Sequence, residues 1–238
     1  MKSAFFFVAI ILQAIPFSTF GQKVVMDEFA QVREVKPFES ISINGAFEVV
    51  LIQDSARVVV VSASDGQLRN LIETDVRGNT LYIGLKKSNV DWRGGRKFRA
   101  YVSMPILKKL DINGYSNLKV EKTFRANDLE VLISGSSDFH GNLECSNLTL
   151  TSSGSSDFHL EGKSDKVTIN SSGSCDLKGL GFMVDYCDIT CSGNSSIEIT
   201  MNKEMRVTVS GGSQVNYKGQ GMVKEFNASG KSSLNKLD

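Results

Sequence analysis

The heptapeptide SGSSDFH occurs twice, at residues 134–140 and 153–159, and the two copies hold both histidines of the 238-residue chain. Serine, aspartate and histidine are the residue types of an acyl-transfer triad, in which a hydroxyl attacks and an imidazole takes its proton. Histidine and aspartate are also metal ligands. Paired carboxylates hydrolyse glycosides when they lie about 5–9 Å apart. Which of these chemistries is open to the motif depends on the element that carries it.

That element is set by a longer period. Gly114, Gly135, Gly154, Gly173, Gly193, Gly211 and Gly230 follow one another at intervals of 21, 19, 19, 20, 18 and 19 residues. Four positions before each glycine stand Leu110, Val131, Leu150, Ile169, Ile189, Val207 and Phe226, all apolar. Four positions after it stand Leu118, Phe139, Phe158, Leu177, Ile197, Val215 and Leu234, again all apolar. Two after it stand Ser116, Ser137, Ser156, Cys175, Ser195, Ser213 and Ser232, all small. Period 2 on both sides of the glycine means strand, with one face turned inward. Glycine suits the sharp backbone of a corner, and the small residue leaves room for the chain to turn. A fixed repeat of this length predicts a solenoid, and short strands predict a parallel β-helix with coils of about 19–21 residues. Residues 106–238 read as its regular repeats, residues 38–105 as longer, irregular first coils, and residues 22–37 as a lead segment.

The alternation sends Ser136, Asp138 and His140 to the outer face and Ser137 inward. Ser136 and His140 are then roughly 13 Å apart at about 3.3 Å per residue, whereas nucleophile and base must touch at about 3 Å. One copy cannot be a triad. Stacked copies instead align Asp138, Asp157 and Asp176, and set His140 beside His159. Metal binding by His140, His159, Asp138 and Asp157 is one reading; solvated acids that cap corners are the plain alternative. The same aspartates support a polysaccharide lyase or glycosidase as a further alternative.

The segment KKSNVDWRGGRKFR at residues 86–99 concentrates basic residues around the single tryptophan, so Trp92, Arg93 and Arg96 are candidates for gripping an anionic glycan. The competing reading is a solvated loop with Trp92 folded onto the scaffold. Cys145, Cys175, Cys187 and Cys191 form no CxxC pair, and most fall in inward columns, as buried free thiols would.

Residues 1–21 read as a secretory signal, with one lysine before an apolar run that is too short to span a membrane. Without them the chain carries 26 basic and 26 acidic side chains, a balance that argues against general nucleic-acid binding. FESISINGAFEV at residues 38–49, RGNTLYIGL at 77–85, VSMPILKKLDINGYSNL at 102–118 and the SGSS copies resemble the bacterial auto-transporter adhesin family with a head GIN domain. The resemblance covers roughly residues 35–235. It implies a right-handed β-helix, export and a role in adhesion, and brings no catalytic residues.

The sequence is therefore read as an all-β, right-handed parallel β-helix. Its expected role is a non-catalytic binding module at the cell surface or in the periplasm, adhering to glycan or protein through outer-face polar ladders. A structural envelope scaffold is the other alternative. No cofactor is expected beyond a divalent cation on the Asp/His columns, and a homodimer through an open end of the solenoid is expected.

Overall fold

A computed structural model describes residues 27–86 and 97–238. Its strands are β1 (Gln31–Arg33), β2 (Ser40–Gly45), β3 (Glu48–Gln53), β4 (Val58–Ala63), β5 (Ile72–Arg77), β6 (Thr80–Leu85), β7 (Phe98–Met104), β8 (Lys109–Gly114), β9 (Asn117–Gly135), β10 (Asp138–Gly193), β11 (Ser196–Val209), β12 (Gln214–Lys218), β13 (Met222–Ala228) and β14 (Ser233–Lys236). A four-residue helix, α1 (Gly66–Arg69), is capped by the Asp65 carboxylate, which accepts from the Leu68 N–H at 2.7 Å. The signal-peptide reading at residues 1–21 lies outside the described residues, as does residue range 87–96.

The chain is all-β as expected, but the right-handed parallel β-helix is overturned. The strands form one 14-stranded mixed sheet, a nearly closed barrel. The first third of the chain makes the difference. Strands β1 and β4, β4 and β7, and β5 and β6 pair antiparallel. Gly78 and Asn79 both have positive φ, 56° and 73°, and join Arg77 to its partner Thr80. A two-residue turn of that hand folds the chain straight back on itself, which no crossover coil allows. Within the expected first coils, residues 66–77 divide into α1 and β5. The lead segment contributes β1.

From β8 onward neighbouring segments run parallel, with Gly45, Gly114 and Gly135 level in adjacent strands. The inward columns fill one continuous core. Leu118, Phe139, Phe158, Leu177, Ile197 and Val215 are all buried, and the Phe139 and Phe158 rings lie 6.2 Å apart. The column before the glycines is buried down to Val207, but Phe226 in β13 is 44% exposed. That strand has β11 on one side and no strand described on the other.

The glycine column holds the corners together. Gly173 has φ 121°, and a Cβ built there would overlap the carbonyl oxygen of Gly154. The same clash recurs between Gly114 and Gly45 and between Gly193 and Gly173. Carbonyls of this column also accept hydrogen bonds. Gly114 O accepts from the Ser136 N–H at 2.8 Å and from the Ser137 hydroxyl at 3.1 Å. Gly45 O likewise accepts from the Tyr115 N–H at 2.9 Å and the Ser116 hydroxyl at 3.0 Å. The Ser137 hydroxyl also accepts from the Ser116 N–H at 3.0 Å, so one buried serine ties its row to the preceding one by two bonds. The pattern lapses at Ser156, whose buried hydroxyl has no partner, and in the next row Cys175 takes the serine's place.

Two stability measurements follow. Gly173→Ala should cost about 2 kcal/mol or more through positive-φ strain and the carbonyl clash, lowering the melting temperature by roughly 5 °C. Gly66→Ala, which meets nothing within 4 Å, should leave it nearly unchanged; equal effects would refute the corner account. Ser137→Ala should cost about 1–3 kcal/mol by orphaning the Ser116 N–H. Ser156→Ala should fall within about 0.5 kcal/mol of wild type, and a large loss there would contradict the hydrogen-bond assignment.

Candidate ligand-binding surface

The parallel register turns the two SGSSDFH copies into neighbouring rows of one outer face. Asp138 lies beside Asn117, and His140 beside Lys119. Further along, Asp176 lies beside Ser196, and Lys178 beside Glu198. Between these rows Asp157 is held to the preceding one by its N–H, which donates to Ser137 O at 3.2 Å. The result is two adjacent columns. One runs Asp138, Asp157, Asp176; the other runs Lys119, His140, His159, Lys178. Neighbouring members of a column are about 4.8 Å apart.

The imidazoles of His140 and His159 stack with ring centroids 4.4 Å apart and planes 18° from parallel. Burial holds the His140 pKa below its ordinary value, and the neighbouring His159 and Lys119 push the same way, while Asp138 and Asp157 oppose them. The Nδ1 atom of His159 is shut off from solvent without a hydrogen-bond partner. Lys178 pairs with Asp176 at 3.5 Å. An ion must sit close to the plane of each imidazole that ligates it, and two near-parallel stacked planes do not meet close to the rings. Among the described residues, no group of three or more histidine, cysteine, aspartate or glutamate side chains is arranged to hold a metal. The inward Ser137 hydroxyl is committed to Gly114 O and the Ser116 N–H.

Trp92, Arg93 and Arg96, the other sequence-derived candidates, lie outside the described residues. The basic run around them is partly neutralised where it is described. Lys97 pairs with Glu48 at 2.9 Å, and Arg99 bridges Glu48 at 3.0 Å and Asp27 at 3.2 Å. Hydrogen bonding from Lys97, and then from Arg99, holds the Glu48 carboxyl below the usual carboxylate range. All four cysteines are free and buried. Burial raises the thiols of Cys145 and Cys175 to about 11 and that of Cys191 to about 12, so none is a ready nucleophile.

Sequence reasoning missed a groove of about 870 Å³ where β9 and β10 bend past the segment Ile106–Lys108. Gln53 fixes this bend: its amide oxygen accepts from the Arg125 N–H at 2.8 Å, and its amide nitrogen donates to the Arg125 and Pro105 carbonyls at 2.8 and 3.0 Å. Arg125 pairs with Glu144 at 2.9 Å, and the Asn147 amide donates to Asp128 at 2.8 Å. The available signal was the 19-residue offset linking Arg125 to Glu144 and Asp128 to Asn147, which continues the glycine period outside the SGSS copies.

Fold and surface together define an all-β protein whose mixed sheet lines up ionisable side chains in columns on its outside. Residues 37–221 match the family model described as "Putative auto-transporter adhesin, head GIN domain". The chain belongs to that family. Solved structures share its fold. A protein named as a putative adhesin from Bacteroides fragilis superposes with a TM-score of 0.80 at 20% identity, covering 87% of this chain and 96% of that one. A second so named, from Parabacteroides distasonis, gives 0.70 at 19% identity with coverage of 87% and 96%. A protein from the same species named as a putative lipid binding protein gives 0.67 at 18%, covering 88% and 96%. No curated protein matches the chain. No helix among the described residues is long and apolar enough to cross a membrane.

The His140 shift sets a pH dependence. A folded value below the unfolded value of about 6.5 means that the unfolded chain binds the proton more readily. The resulting stability is present above that unfolded value and is lost as pH falls through the folded one. Acidification from about pH 7.5 to 5.5 should therefore lower the melting temperature of wild type more than that of His140→Gln. An NMR titration should place the His140 midpoint below 6.5, and a midpoint above it would contradict the assignment.

Proposed function

We propose that the protein is an exported, non-catalytic binding module, acting at the cell surface or in the periplasm, that adheres to a glycan or a surface protein through its outer polar columns. The supporting observation is the pair of in-register columns, acidic Asp138, Asp157 and Asp176 beside basic or protonatable Lys119, His140, His159 and Lys178. Such a surface presents the same pair of groups again at each row. A ligand that itself repeats can engage several rows at once, and weak single contacts then add up to useful avidity. Family membership supports the adhesive role. The occurrence of an adhesin-named and a lipid-binding-named protein on one fold shows why the reading rests on surface chemistry.

A second copy is the proposed partner at the end of the sheet. There, among the described residues, β13 and β14 each pair on one side only, and Met222 and Phe226 are 60% and 44% exposed. Open edges of this kind recruit further strands.

The test is binding to arrayed glycans and surface proteins, with sedimentation of the same preparation over a range of concentrations. Replacing Asp138, Asp157 and Asp176 by Asn, with His140 and His159 by Gln, should weaken the bound ligand at least ~10-fold, equivalent to about 1.4 kcal/mol. Unchanged binding would refute the columns, and a strictly monomeric protein would refute the edge contact. Polysaccharide cleavage that Asp138→Ala or Asp157→Ala abolishes would make the protein an enzyme instead.

A further inference from the structure

The groove beside β9 and β10 lies further along each strand than the Asp/His columns, separated from His140 by the register shift before Asn142. We propose that it is a saccharide subsite that takes a short, uncharged, hydroxyl-rich chain. This rests on the adhesive reading above and names the ligand class that one part of the surface would hold.

Size is the first support. About 870 Å³ falls within the range of small-ligand sites, roughly 300–1,000 Å³. Charge is the second. Lys108, Arg125 and Lys163 line the groove together with Asp128, Glu144 and Asp165. Much of this charge is already matched, since Arg125 pairs with Glu144 and Lys108 reaches Glu39 at 2.7 Å. Glu130 is likewise held by Lys109 at 3.0 Å. The groove therefore offers no strong field of either sign to select a polyanion or a polycation.

Hydrogen bonding is the third support. The Asn147–Asp128 and Arg125–Glu144 pairs place a donor group and a carboxylate side by side, already oriented by each other. A hydroxyl donates and accepts at once, so it satisfies both members of such a pair. Fixed groups also lose little side-chain freedom on binding. Leu107 and Leu129 form a buried apolar floor beneath them, and Ile106, 47% exposed, gives the rim an apolar edge for sugar C–H faces. A peptide strand finds no such match. Along the groove β9 pairs with β10 on one side; on the other, pairing with β3 ends at Glu121, pairing with β8 starts at Glu130 and the Gln53 amide occupies the Arg125 N–H and carbonyl, which leaves too few residues for a peptide to add as a strand. Among the described residues the lining holds no aromatic ring for a sugar to stack on, so the single site binds weakly and leaves tight adhesion to repetition along the chain.

The experiment titrates the full-length protein with neutral trisaccharides, and separately with sulfated and uronic-acid trisaccharides. Binding is read from shifts of the Asn127 and Asn147 side-chain amide signals. A trisaccharide fills the groove without reaching the Asp/His columns. Thr149→Trp, which fills the groove, and the milder Asn127→Ala, at an exposed position, are compared with Asp157→Asn on the columns; circular dichroism verifies that each is folded. The expected result is that a neutral trisaccharide shifts both amides, that Thr149→Trp weakens it at least ~10-fold and Asn127→Ala about 3-fold, and that Asp157→Asn leaves it unchanged. If a trisaccharide binds equally well to both groove variants but loses to Asp157→Asn, the groove proposal falls while the adhesive reading stands. Preference for the anionic chains, or binding of a protein ligand with no saccharide bound, also overturns it.

Discussion

The glycine carbonyl is the contact on which the rest of this structure depends. At each corner it points at the next glycine's Cα, so closely that a side chain there would overlap it. At Gly45, Gly114, Gly173, Gly193 and Gly211 it accepts one bond from the backbone of the following row and, at Gly45, Gly114 and Gly193, another from a serine hydroxyl. Neither bond forms if the rows slip by a residue, because a slip exchanges the inward and outward faces. A bulkier residue would push the rows apart. Glycine is thus required for two reasons at once, its positive φ and its missing Cβ, and both act to fix register.

Register is what makes a surface out of isolated side chains. An aspartate on a strand is an ordinary solvated group. Three of them brought level by the corners, beside a column that contains two stacked imidazoles, form an extended pattern with a fixed repeat. The same alignment carries Glu144 to Arg125 and Asn147 to Asp128 around the bend. The buried phenylalanines and the unreactive thiols serve this end from within, filling the core so that the outer columns do not have to hold themselves in place. The apparent triad of the SGSSDFH motif breaks up under the same rule: its third serine is buried, its phenylalanine is core, and its aspartate and histidine face outward with Ser136 and Ser155, spaced along the strand.

Much of this was legible in the sequence. Alternation about the glycines assigned Leu118, Phe139, Phe158 and Ser137 to the inside, and Asp138 and His140 to the outside. It was silent on the direction in which neighbouring strands run, which is why a β-helix was expected where a mixed, nearly closed barrel is found. Strand β4 pairs with β7 some forty residues later, and nothing in VVVVSA names that partner or its antiparallel sense. Phe226 kept the apolar pattern yet is partly exposed, since pattern alone does not reveal that a strand is the last in its sheet. The groove was missed for a related reason. Its walls come from segments near residues 107, 127 and 146, and each looks like an ordinary polar bend when read alone.

Amide hydrogen exchange at the corners tests the account most directly. The N–H groups of Tyr115, Ser136, Asn194, Gly212 and Lys231 all donate to the carbonyl of a glycine in the preceding row, although all five residues sit in turns or bends at the surface. In the free protein they should exchange at least ~100-fold more slowly than in an unstructured chain, showing that the columns are aligned before any ligand arrives. Exchange at the unstructured rate, with the core amides still protected, would mean that the corners do not fix register and that the outer columns are not a preformed surface.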